Sequence, residues 1–117
     1  MVKHSPNLDR VFHALADPTR RAMLERLRGG DELAVGVLAA PFDLSPPAIS
    51  KHLRVLEGAG LLVQEKEGRY RRCRFRPDGL APARAWIETQ RALWEGRLDD
   101  LAAYLEKGGG NDREGGA

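Results

Sequence analysis

A mainly α domain with a small β-hairpin, of about five helices plus a two-stranded wing, is the fold class this sequence predicts. Three observations carry the prediction. Apolar residues recur at helical spacing through most of the chain, and Pro and Gly stand where helices would start and stop. One short stretch past the middle changes to strand alternation around a Gly-Arg pair. The 117 residues suit a single domain, and the 42% hydrophobic share allows a real but small core.

Asn7 to Ala16 reads as a short helix because Leu8, Phe12 and Leu15 fall at i, i+4 and i+7. Asp17 is a good N-cap, and Pro18 fits the first helical position, where its missing N–H costs nothing. That second helix runs to about Arg28 with Ala22, Met23 and Leu27 inward, and Gly29-Gly30 ends it. A short third helix spans about Leu33 to Ala40, stopped by Pro41. Ser45 caps a fourth helix that starts with Pro46 and runs to Ala59, with Gly60 where a left-handed residue is wanted. Leu61 to Glu67 and Tyr70 to Arg76 read as strands joined at Gly68-Arg69, Pro77-Asp78-Gly79 reads as a loop, and Ala81 to Lys107 reads as a long last helix. We expect residues 1–106 to form one domain and the Gly-rich polar stretch 107–117 to be a disordered tail. A short helix, a turn, a well-capped second helix and a basic hairpin make the pattern of a winged helix-turn-helix.

Net charge is only +2, which says little about partners. Its distribution says more. From Ser45 to Arg76 there are eight basic residues against three acidic ones, and the rest of the chain has eleven against fourteen. Positive charge gathered in one stretch is the footprint expected for a polyanion. No apolar run approaches the ~20 residues of a membrane span, and the first residues lack a signal-peptide core, so a cytoplasmic protein away from the membrane is expected. Cys73 is the single cysteine, which excludes an internal disulfide. No HExxH, GxSxG, phosphate-binding glycine loop or usefully spaced Cys-His pair is present, so catalysis is not expected.

In the fourth helix Ile49, Leu53 and Leu56 share one face, while Pro47, Ser50, Lys51 and Arg54 point away. An apolar stripe under a face of donors and cations is what a helix needs to lie in a DNA groove. Ser45 at its start adds free backbone N–H groups suited to a phosphate. His52, about 60° off the apolar face, reads equally as a boundary side chain or a phosphate contact. In the hairpin, alternation puts Cys73 and Phe75 with Arg71 on one face and Tyr70, Arg72, Arg74 and Arg76 on the other. Lys66, Arg69, Arg71 and Arg72 are candidate contacts to backbone or minor groove. The competing reading is an edge hairpin that uses charge against aggregation.

The stretches HALADPTRRAMLERL, LSPPAISKHLRVLEGAGLL and EGRYRRCRF together resemble the ArsR/SmtB-type winged-helix regulators. The resemblance runs from about Leu8 to Leu105. It implies a dimeric repressor that binds a palindromic operator in double-stranded DNA and dimerises through its first and last helices, which brings in Leu8 and Phe12. In the last helix Ile87, Trp94, Leu98, Leu101 and Leu105 follow 7, 4, 3, 4 spacing, more apolar surface than one small domain needs. The alternative is that this helix caps its own core.

Many members of that family respond to metals, and this chain departs from them. Where a Cys-x-Cys pattern would lie it reads Glu32-Leu33-Ala34-Val35-Gly36, and its last helix has no histidine. We therefore expect no metal site and no cofactor. A metal-responsive repressor of the same fold, or a winged helix used only for protein contact, are the alternatives.

Overall fold

A computed structural model describes residues 6–109. The order is α1 (Pro6–Leu15), α2 (Pro18–Arg26), β1 (Glu32–Ala34), α3 (Val35–Ala39), α4 (Pro46–Gly58), β2 (Leu62–Glu67), β3 (Tyr70–Phe75), a 3-10 turn (Pro77–Leu80) and α5 (Ala81–Tyr104), which runs into a π-helical turn at Leu105–Gly109. The helical path thus continues three residues past 106, and residues 110–117 of the expected tail lie outside the described residues. The chain divides into two compact units, one ending at Ala83 and one starting at Arg84.

The first unit holds the core. Asp17 caps α2, its carboxylate accepting from the Arg20 N–H at 3.0 Å with Pro18 in the first turn. Ser45 caps α4 in the same way, accepting from Ala48 N–H. The end of α4 is a Schellman motif: Gly60 N–H donates to the Glu57 carbonyl and Leu61 N–H to that of Leu56. That reversal needs a residue at φ 75°, which glycine supplies at position 60 without strain. Ile49, Leu53 and Leu56 are buried with Val11, Ala14, Met23, Leu24, Leu27 and Leu38. On α1 the innermost residues are Val11 and Ala14; Leu8 and Leu15 are partly covered and Phe12 remains 38% exposed. On α2 the inward set is Arg20, Met23, Leu24 and Leu27, whereas Ala22 is only partly covered.

The hairpin belongs to a three-stranded antiparallel sheet in the order β1-β3-β2. The third strand is an addition to the expected two-stranded wing. Leu33 and Ala34 were expected to start the third helix, but they lie in a strand, Leu33 pairing with Cys73 and Ala34 with Arg72 along the open edge of β3. Three residues are too few to show a period, and Glu, Leu and Ala favour helix locally; pairing with a distant strand overrides that preference. The β2–β3 turn is Gly68-Arg69, with φ 60° at Gly68 and no positive φ at Arg69, the pattern of a type II′ turn.

In the second unit α5 carries ion pairs from Arg91 to Glu88 at 3.0 Å and to Glu95 at 3.4 Å. At 100° per residue, Ile87, Trp94, Leu98, Leu101 and Leu105 fall within a sector of about 60°. All five are between 48% and 61% exposed.

Candidate nucleic-acid interface

The residues singled out on α4 occupy the positions their spacing implies. Ser45, Pro47, Ser50, Lys51 and Arg54 are exposed, and the buried stripe beneath them fixes the helix to the domain. Beside α4 lies an open cleft of ≈ 550 Å³ lined by Ser50 and Arg54 from the helix and by Gln64, Arg69, Tyr70 and Arg71 from the hairpin. The start of α3 closes its third side with Val35 and Gly36. The fold therefore brings Ser50 and Arg54 together with Arg69 and Arg71 around one concave surface.

The register of the hairpin sorts its cations into two groups. Arg72 is paired with Glu67 at 2.7 Å, and Arg74 with Glu65 at 3.3 Å and Glu32 at 3.6 Å. These charges are largely satisfied within the sheet. Lys66, Arg69 and Arg71, like Lys51 and Arg54, have no carboxylate within 4.0 Å among the described residues. Lys66 also stands directly opposite Arg71 in the ladder. Like charges facing each other across strands disfavour the fold locally, a cost that a polyanion in the cleft would offset.

Cys73 sits at the centre of this sheet, paired with Leu33 on one side and Gln64 on the other, and is fully buried. Burial, with Glu57 nearby, pushes its thiol up to about 11. A thiol so shielded is neither a good nucleophile nor a ready metal ligand. We expect a thiol-alkylating reagent at pH 8 to leave Cys73 unmodified in the folded protein and to modify it fully in denaturant, as read by intact mass. Rapid labelling under native conditions would mean the sheet opens easily.

One buried polar group was not foreseen. Arg20 is 9% exposed, and its guanidinium fans out over three partners. Nε donates to the Ala14 carbonyl at 2.8 Å, Nη2 to the His13 carbonyl at 3.0 Å, and Nη1 lies 3.2 Å from His52 Nδ1. Arg21 donates to the next carbonyl, Leu15, at 2.6 Å. The two arginines thus cap the carbonyls at the end of α1, that of His13 also accepting from the Ala16 N–H. Asp17 Oδ2 stands 4.0 Å from His52 Nδ1, and the Arg20 backbone N–H holds the Asp17 carboxyl below its ordinary range. The signal for Arg20 was in the sequence. It shares the i, i+3, i+4, i+7 face with Met23, Leu24 and Leu27, so a charged residue completes an apolar stripe.

Among the described residues no group of three or more His, Cys, Asp or Glu stands close enough to hold a metal ion. No helix of the described residues is long and apolar enough to cross a membrane.

A helix-turn-helix with its second helix exposed on a polar, cationic face, flanked by a basic hairpin, defines a winged-helix DNA-binding regulator. Comparison with known proteins agrees with this class. The model of a helix-turn-helix domain family matches residues 15–65. The HTH-type transcriptional regulator Rv2034 of Mycobacterium tuberculosis is 41% identical over 101 residues, covering 86% of this chain and 91% of its own. The transcriptional repressor SdpR of Bacillus subtilis is 40% identical over 63 residues, 54% of this chain and 69% of SdpR. The crystal structure of an ArsR family transcriptional regulator superposes with a TM-score of 0.73 at 42% identity, covering 81% of this chain and 97% of that one. The chain belongs to the ArsR family of winged helix-turn-helix transcriptional regulators, which are DNA-binding proteins and not enzymes.

Proposed function

We propose that this regulator acts as a homodimeric repressor on a palindromic operator in the cytoplasm. Each α4 enters a major groove with Pro47, Ser50, Lys51 and Arg54 toward base edges and Ser45 at a phosphate. The wing lies on the backbone or adjacent minor groove through Lys66, Arg69 and Arg71. Arg72 reaches a phosphate only by giving up Glu67. The observation that carries the reading is the set of cations without carboxylate partners on α4 and the wing, three of them, Arg54, Arg69 and Arg71, lining one cleft. A structural surface would gain nothing from leaving them unpaired.

The proposed interface between subunits uses Leu8 and Phe12 of α1, Ile87, Trp94, Leu98 and Leu101 of α5, and Leu105 at the start of the π-helical turn that continues it. Residues 1–106 supply both DNA binding and dimerisation in this reading, with 107–117 as a tail. No metal or cofactor is called for, because neither a Cys-x-Cys pattern near α3 nor a histidine in α5 is present in the sequence.

Selection of bound duplexes from a random pool tests the proposal. The expected result is an inverted repeat whose half-sites are centred about one helical turn, ~34–36 Å, apart. Recovery of unrelated duplexes with no repeated element would overturn it. Replacing Arg69 and Arg71 by alanine should weaken operator and random duplex alike. It should also lower the slope of log K against log salt by about 0.9 for each phosphate no longer neutralised. A loss confined to the operator would instead assign the wing to base recognition.

A further inference from the structure

We infer that Arg20 is a positioning residue for the DNA interface. It holds His52 of α4 by Nδ1 and so presents the opposite ring nitrogen, as Nε2–H, to a phosphate of the bound duplex. The inference rests on the proposed DNA-binding mode for its ligand, but its intramolecular half stands on geometry alone. Arginine carries donors and no acceptor, so an Arg20 Nη1 placed 3.2 Å from Nδ1 requires a lone pair there. The ring proton is then on Nε2. Asp17, at 4.0 Å, is too far to take a hydrogen bond from Nδ1.

Among the described residues Nε2 has no hydrogen-bond partner. No buried side-chain nitrogen or oxygen among the described residues lacks one, so Nε2 lies on the solvent side. The side chain keeps 17% of its surface exposed, next in sequence to Lys51 and two residues from Arg54. A neutral N–H donor fixed in direction suits a phosphate oxygen that sets register rather than sequence. Because the same guanidinium also holds the carbonyls of His13 and Ala14, the donor is located relative to the end of α1 and the start of α2 as well as to α4. His52 is thus a boundary side chain at one nitrogen and a ligand at the other.

Two variants separate the halves. H52N keeps an acceptor near the Nδ1 position and removes the Nε2 donor; H52Q keeps a donor of the longer reach and loses the Nδ1 acceptor. Long-range ¹H–¹⁵N correlation of the free wild-type protein should show His52 as the Nε2–H tautomer. An Nδ1–H tautomer would overturn the Arg20 assignment whether or not DNA binds. Fluorescence anisotropy with operator and random duplexes should show H52N weakened about tenfold on both. The salt slope should not change, since a neutral donor releases no counterion. Unchanged affinity of H52N would overturn the phosphate contact, and a slope lower by about 0.9 for each subunit's contact would show a cationic ring and overturn the tautomer. H52Q should retain more affinity than H52N; the reverse order would mean that the tether alone matters. If wild-type protein bound no duplex, the DNA-binding reading would fail while the tautomer result still judged Arg20.

Discussion

Glutamate at both Leu98 and Leu101 leaves the chain monomeric and lowers operator affinity by about 10²–10⁴. The two leucines lie in the α5 stripe with Ile87, Trp94 and Leu105, each about half exposed or more in the single chain. A stripe of five large apolar side chains on one helix is costly in water and is the kind of surface a second copy covers. Two carboxylates placed in that contact would be desolvated without partners, at a cost of several kcal/mol per charge. The loss in DNA binding follows from valency. With both α4 helices on one duplex, the second docking is intramolecular, and a monomer forfeits that gain. Sedimentation equilibrium reads the outcome, with far-UV circular dichroism as the check that the helices persist. A dimer that survives both substitutions would move the interface away from α5.

Alanine at both Lys51 and Arg54 removes the operator's advantage over random DNA. Each side chain is exposed on the face of α4 opposite Ile49, Leu53 and Leu56, so truncation leaves the core intact. A contact to a base edge is worth about 1–3 kcal/mol of discrimination, so the pair together accounts for one to four powers of ten in preference. This is distinct from the wing, where loss is expected to be even across sequences. Competition binding with operator and scrambled duplexes measures it. Equal weakening on both duplexes would mean that Lys51 and Arg54 hold phosphates and that α4 is turned differently in its groove.

The part of the interface that was legible in the sequence is the part set by local chemistry. Ser45-Pro46 at one end, Gly60 at the other and the Ile49, Leu53, Leu56 spacing determine where α4 begins, ends and faces. All three are properties of neighbouring residues. Asp17-Pro18 did the same for α2. What was not legible depends on partners far along the chain. Glu32–Ala34 becomes a strand only because the edge of β3 is open to it. Counting hairpin charges gave no way to separate Arg72 and Arg74, which are paired, from Lys66, Arg69 and Arg71, which are not. That division follows from register and from Glu32 on a strand the sequence did not reveal. Arg20 is a different case: its place on the apolar face of α2 was visible, but its partners, two carbonyls of α1 and a ring nitrogen of α4, are long-range.

The central claim is that the unpaired cations of α4 and the wing are arranged for a DNA duplex, those of the wing for its backbone. Binding of a labelled duplex, followed by anisotropy as salt is raised from ~50 to ~200 mM, tests it most directly. The three wing cations Lys66, Arg69 and Arg71, six in a dimer, predict a linear fall of log K with log salt and a loss of about 10³ across that range. Absence of binding to every duplex in dilute buffer, or binding indifferent to salt, would contradict it.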